Sequence, residues 1–280
     1  VFRRSDIRDL QLSLFGEEAA WQRALMNVRF VVHLAAHAHK PHGADASAYW
    51  HVNVEGTRFV AHQAARAGVR RLIYLSSIKV NGEGDGSKSY GPQDLPNPRD
   101  AYGRSKRDAE DLLRKLCPGL GMELVVIRPP LIYGPGVRGN FYKLMRLAES
   151  GIPLALGSVR NRRSLLNVWN LADFVAHCMT DGRAANQTFL VADGEDISTP
   201  DLIEKLARLM RRPARLFRFP PRLLGVAGRL IGYGNELDRL CNSLLVDGTA
   251  ARSTLDWSPP VSLDEGLGRT VFDFDARRRA

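Results

Sequence analysis

The 280 residues, 44% of them hydrophobic and 25% charged, suffice for one large domain or two modest ones around a real core. No stretch approaches the roughly 18 to 20 uncharged apolar residues of a membrane span, and the first six residues lack the apolar core of a signal peptide, so the cytoplasm is the expected compartment. A formal charge of +10 invites a nucleic-acid reading, but the basic residues are spread along the chain without a nucleic-acid module, and a diphosphate-bearing ligand suits the same excess.

Apolar, β-branched-rich runs alternate with helical patterns through the first half, which predicts a parallel sheet with helices on both faces. Arg29 to Leu34 reads as a buried strand, residues 47 to 67 as a helix, and Arg71 to Ser76 as the next strand. After a Gly-rich loop at 82 to 91 and a Pro-containing segment at 92 to 98, an amphipathic helix is expected from about Ala101 to Leu116 and a strand at Glu123 to Arg128. Beyond Gly134 the pattern loosens into shorter helices, Pro-rich turns at Pro220-Pro221 and Pro259-Pro260, and one more strand at Thr188 to Val191. The division is therefore a parallel-sheet unit over 1–133, which the resemblance described below makes the dinucleotide-binding domain, and a smaller substrate lobe over 134–280, with part of 160–195 returning to the main sheet. Cys117, Cys178 and Cys241 are odd in number and far apart, which suits reduced thiols better than disulfides or a zinc site. The Arg277-Arg278-Arg279 run reads as a solvated tail.

The chemistry concentrates at Tyr102 and Lys106, four positions apart near the start of the second predicted helix and so on one face of it. An ammonium beside a phenol favours the phenolate, which predicts a lowered tyrosine pKa and proton exchange with a sugar hydroxyl near neutral pH. The spacing alone also describes any surface pair on a helix. Ser76 and Ser77 end a predicted strand, where a hydroxyl could donate to the oxygen that the tyrosine serves.

Seven segments in order resemble the extended short-chain dehydrogenase/reductase family, in its branch of nucleotide-sugar epimerases and reductases. They are Asp6-Ile7, His33-Leu34-Ala35-Ala36, Asn53-Val54-Glu55-Gly56-Thr57, Ser76 to Gly82, Tyr102 with Lys106, Arg128 to Pro135, and Arg163 to Ala172. The resemblance implies a Rossmann-like doubly wound sheet, NAD or NADP as cofactor with NAD favoured, and a UDP-sugar substrate. It makes Tyr102 the proton exchanger, Lys106 the residue that tunes it and holds the nicotinamide ribose, and Ser77 the group that orients the sugar oxygen. It also places Asp6, Ile7, Leu34, Ala35, Ala36, Asn53 and Pro129 at the cofactor. Ser77, Asn140, Leu154, Leu156 and Arg163 would meet the substrate, with Arg163 and Asn140 on its diphosphate and the two leucines near the base. A homodimer is usual for such proteins.

The family opens with a strand and a Gly-x-x-Gly-x-x-Gly loop, whereas the only glycines before residue 60 are Gly16, Gly43 and Gly56. The expectation is that this sequence starts after that unit, lacks the first strands of its sheet and grips its dinucleotide weakly. Gly225 to Gly232 mimics such a loop but follows no first strand, so it is set aside. His33, His37, His39 and His42 crowd together without a carboxylate or cysteine to complete a ligand set, so they are read as flanking the cofactor and no metal is expected.

Family dehydratases carry an Asp-Glu pair after the catalytic serine or threonine. Ile78 and Lys79 stand there in this chain, and neither is a carboxyl acid, so dehydration is disfavoured. What remains is a 4-epimerase or a 4-keto reductase, and Ser77 to Gly82, Arg128 to Gly136, Asn161 to Leu165 and Cys241 to Asp247 resemble the bacterial O-antigen branch acting on UDP-N-acetylhexosamines. The competing reading is a nucleotide-binding regulatory or structural protein of the same fold without catalysis.

Overall fold

The structure, a computed structural model, describes residues 15–38, 46–84, 88–220, 223–225 and 234–279. Two of the expected cofactor residues, Asp6 and Ile7, lie outside them, as do His39, His42 and all of the Gly225 to Gly232 segment except Gly225.

Continuous apolar runs build the main sheet. Its strands β1 (Phe30–His33), β2 (Arg71–Leu75), β3 (Glu123–Arg128) and β6 (Thr188–Leu190) lie side by side in that order, all parallel. Because successive strand residues point to opposite faces, Leu72, Tyr74, Leu124 and Val126 meet one layer of helices while Ile73, Val125 and Ile127 meet the other. The first layer holds α1 (Glu18–Leu25), α2 (Ala46–Trp50), α3 (Gly56–Arg66) and α4 (Ala101–Gly119), with Ala61, Ala64, Ala109, Leu113 and Cys117 supplying the contact. The second layer is α6 (Val168–Thr180) and α9 (Thr249–Leu255), through Phe174, Cys178, Leu255 and Trp257.

A smaller sheet of β4 (Leu131–Tyr133), β5 (Arg163–Asn167) and β7 (Asp196–Ile197) stands beyond β3, with β4 and β5 parallel and β7 antiparallel to β5. It shares a core with α5 (Gly139–Ser150), α7 (Thr199–Leu209) and α10 (Leu263–Arg279), built on Phe141, Met145, Leu206 and Leu267. The short helix α8 (Gly234–Cys241) follows α7 in the chain. These three strands were not foreseen. Each has five residues or fewer, and Arg163-Ser164-Leu165-Leu166-Asn167 shows neither alternation nor an apolar run that a sequence pattern could detect.

The expected helix at 47 to 67 is α2 and α3 joined by one π-helical turn over His51–Glu55. Single π turns accompany functional sites often, and this one carries Asn53. Among the described residues, no helix is long and apolar enough to cross a membrane.

Candidate active site

The carboxyl ends of β1, β2 and β3 fall at one edge of the parallel sheet, since His33 pairs with Tyr74 and Leu75 with Ile127. Leaving that edge are Leu34 and Ala35, both exposed, and Ala36, partly so, after β1; Ser76 and Ser77 after β2; and Pro129 after β3. The Pro129 carbonyl accepts a 2.9 Å hydrogen bond from the Ile78 amide, which ties the β3 end to the serine turn. Ser77 itself caps the short turn Ile78–Val80, its oxygen accepting from the Lys79 amide at 3.3 Å.

Helix α4 begins where Asp100 caps it, accepting from the Gly103 amide at 2.7 Å. Tyr102 stands in that first turn, close enough to Ser77 for that side chain to lower the phenol's pKa. Gly103 lets the two approach. A Cβ on it would lie 2.8 Å from the Lys79 carbonyl oxygen, so only glycine allows the helix start to press on the serine turn. Lys106, one turn on, is buried, and its ammonium sits 4.2 Å from the centroid of the Tyr74 ring.

The electrostatics depart from the expected lowering of the tyrosine. Burial pushes the Tyr102 phenol up to about 12, Asp100 and Tyr49 push the same way, and the Ser77 side chain opposes them. Burial also pulls Lys106 down to about 7, against the pull of Glu110, so near neutral pH the ammonium carries only part of its charge. Desolvation is the largest influence on both groups.

Asn53 fastens this arrangement to the first strand. Its side-chain oxygen accepts from the His37 amide at 2.7 Å, while its amide donates to the His37 carbonyl at 3.1 Å and to Ser105 Oγ at 2.9 Å. Ser105 in turn donates to the Tyr102 carbonyl. Asn53 is thus spent on holding the loop after β1 against α4. Nearby, His37 rests on Tyr49 and Tyr49 on Tyr102, with ring centroids 5.3 and 6.3 Å apart. The buried Nε2 of His37 has no hydrogen-bond partner.

Beneath the serines lies a network that the sequence reading missed. Glu110, fully buried, accepts from Ser76 Oγ, from Arg128 Nε and Nη2, and from Arg114. Arg128 Nη1 donates to Asn81, whose amide donates to the Gly91 carbonyl. A signal existed: Glu110 falls eight residues after Tyr102 and four after Lys106, a carboxylate on the buried stripe of α4.

Arg163 opens β5 and gives Nη1 to the carbonyls of Arg239 and Asn242, at 2.6 and 3.0 Å. Burial lowers its pKa, as does Arg239, while Glu83 acts oppositely. Glu83 also meets Lys79 at 3.1 Å and Arg239 at 3.6 Å, and Lys79 is paired with Asp100. A chain of charges therefore runs from Arg163 to the cap of the helix bearing Tyr102. Asn140 is exposed in the first turn of α5. Leu156 is buried in the core of the smaller sheet and Leu154 packs partly against that core, bridged to Leu216.

The profile of the NAD dependent epimerase/dehydratase family matches residues 6–192. The chain belongs to that family. A UDP-glucose 4-epimerase of Vibrio cholerae is 42% identical over 255 residues, which cover 89% of this chain and 78% of the relative. An N-acetyl-alpha-D-glucosaminyl-diphospho-ditrans,octacis-undecaprenol 4-epimerase of Escherichia coli O157:H7 is 30% identical over 74% of this chain and 60% of its own. Among solved structures, the UDP-glucuronic acid 4-epimerase of Bacillus cereus in complex with NAD superimposes with a TM-score of 0.74 at 20% identity, over 92% of this chain and 78% of that one. At such identity the likeness is one of fold, and it is the Rossmann-like fold of this nucleotide-sugar family.

Proposed function

We propose that this chain is an NAD-dependent oxidoreductase acting at C4 of a UDP-hexose, probing the sugar with Ser77 and Tyr102, as a 4-epimerase or 4-keto reductase. The carrying observation is that the serine turn after β2 and the head of α4 bring Ser77 and Tyr102 together, on a helix whose next turn buries Lys106. The names of the two 4-epimerase relatives support action at C4. An N-acetylated sugar and a place in O-antigen synthesis fit the E. coli relative's name, and a cytoplasmic homodimer belongs to the same reading.

The described residues fit the nicotinamide half of a dinucleotide. Exposed Leu34 and Ala35 offer an apolar strand end, Tyr102 and Lys106 offer hydroxyl and ammonium donors for a ribose, and His37 Nε2 is a buried polar atom lacking a partner. Residues 1–133 would carry the cofactor and 134–280 most of the sugar nucleotide, with Arg163 on the diphosphate. When bound, an oxidised nicotinamide ring accepts the hydride and adds positive charge to the site.

With its pKa near 12, Tyr102 holds its proton at neutral pH and is the donor to a 4-keto oxygen. Ser77 orients that oxygen through its hydroxyl. Taking a proton from a C4 hydroxyl needs positive charge beside the phenol, which Lys106 supplies in its protonated form. Ile78 is buried and Lys79 is paired with Asp100 and Glu83, so neither position supplies an acid for dehydration.

The test is turnover of UDP-glucose, UDP-N-acetylglucosamine and a UDP-4-keto-6-deoxy sugar, with NADH and NADPH. Exchange of C4 epimers without net cofactor use identifies the epimerase, and absorbance loss with the keto sugar identifies the reductase. Tyr102→Phe should lower either rate by about 10²- to 10⁴-fold with folding intact. A chain that binds the nucleotide but performs neither reaction, with Tyr102→Phe unchanged, is the non-catalytic protein instead.

A further inference from the structure

Tyr74 is the fourth residue of β2, on the sheet face that α3 and α4 cover, and nothing in the proposed reaction uses it. Its ring lies fully buried under the Lys106 ammonium, 4.2 Å from nitrogen to centroid, and Lys106 is itself 1% exposed. An ammonium taken out of water needs electron density to replace its hydration, and an aromatic face provides it most effectively where water is excluded.

The other groups around Lys106 are poor substitutes. His33, at the end of β1, is pulled down to about 4 by burial and by Lys106, so it is neutral at pH 7. The Thr57 hydroxyl of α3 donates to the Asn53 carbonyl and accepts from His33 Nε2. On α4 itself, Tyr102 keeps its proton and Glu110 is engaged by Arg128, Arg114 and Ser76. Burial raises the Tyr74 phenol well above its ordinary value, so that residue offers a ring face and no charge. Its hydroxyl is buried without a hydrogen-bond partner, which assigns any role to the ring.

We propose that Tyr74 is a positioning residue for Lys106, whose ring face seats the ammonium and holds it charged behind Tyr102. Its consequence for turnover rests on the proposed use of Lys106, whereas the seating itself does not.

Side-chain ¹⁵N-lysine NMR of the ligand-free protein reads this directly, with the Lys106 signal assigned by its loss in Lys106→Arg. Tyr74→Phe should titrate as the wild type does, and Tyr74→Leu should lower the Lys106 midpoint by about one pH unit. Fluorinated phenylalanines at position 74 keep the shape while draining the ring face, so the midpoint should fall with each added fluorine even if Tyr74→Leu does not fold. In turnover, losing charged Lys106 at lower pH moves the alkaline limb of the rate profile down, and Tyr74→Phe restores it. Coincident Lys106 midpoints in wild type, Tyr74→Leu and the fluorinated series overturn the proposal, as does a Tyr74→Phe shift as large as that of Tyr74→Leu. If the midpoints move as expected but no form turns over a UDP-sugar, the seating stands and the proposed function falls.

Discussion

Glu110 and Arg128 meet through two hydrogen bonds, of 2.9 and 2.6 Å, with both side chains buried between α4 and the end of β3. The pair fixes α4 to the strand end from which Pro129 reaches the serine turn.

Breaking this pair should be severe. Glu110→Ala leaves the Arg128 guanidinium buried and uncompensated, a loss of about 3 to 5 kcal/mol by urea denaturation at pH 7. Joint replacement of Glu110 and Arg128 by Leu and Met should recover part of that stability without recovering full activity, since Ser76 and Asn81 lose their partners. A single Glu110→Ala change within about 1 kcal/mol of wild type would contradict the network.

Gly103→Ala places a methyl group 2.8 Å from the Lys79 carbonyl and 3.1 Å from Pro98 Cβ. Helix propensity favours alanine, so stability should fall by no more than about 1 kcal/mol. The opening of the Ser77–Tyr102 contact should lower kcat by roughly tenfold or more, because reacting groups tolerate little misplacement. Steady-state kinetics beside thermal denaturation separates the two effects.

Asn53→Ala removes three hydrogen bonds that join the loop after β1 to α4. Leaving the His37 amide and Ser105 without these partners should destabilise the fold by about 2 kcal/mol. The His37 amide should exchange its hydrogen faster in this variant, and dinucleotide affinity should weaken through the loosened loop. Unchanged exchange at His37 would show that Asn53 is not the tether.

His33 makes stability depend on acid. Folding lowers its pKa from 6.5 to about 4, by burial first and Lys106 second, so between those values the unfolded chain binds more protons. This contribution to stability is complete above pH 6.5 and falls as pH drops towards 4, by about 3 kcal/mol in all. Urea midpoints at pH 4.5, 5.5 and 7 should show that slope in the wild type and a flatter one in His33→Gln. Equal slopes would place the acid sensitivity elsewhere.

Much of this arrangement could be read from the chain. The apolar runs at 71–76 and 123–128 became β2 and β3 because strands buried on both faces leave an unbroken hydrophobic signal. Tyr102 and Lys106 were legible through their spacing on one helix, and Asp100 marks where that helix starts. The strands β5 and β7 were not, because Arg163-Ser164-Leu165-Leu166-Asn167 and Asp196-Ile197 mix polar and apolar residues without a strand period.

By itself, the sequence determined the parallel sheet and the family, and it singled out Ser77, Tyr102 and Lys106 for the proposed site, because each is written in local periodicity or in a short ordered motif. Only the tertiary structure decided their electrical state. The phenol is raised and the ammonium lowered by desolvation, with Asp100 and Tyr49 adding to the first shift and Glu110 opposing the second. Burial of a charge is a property of everything packed around it, and residues distant in sequence do that packing.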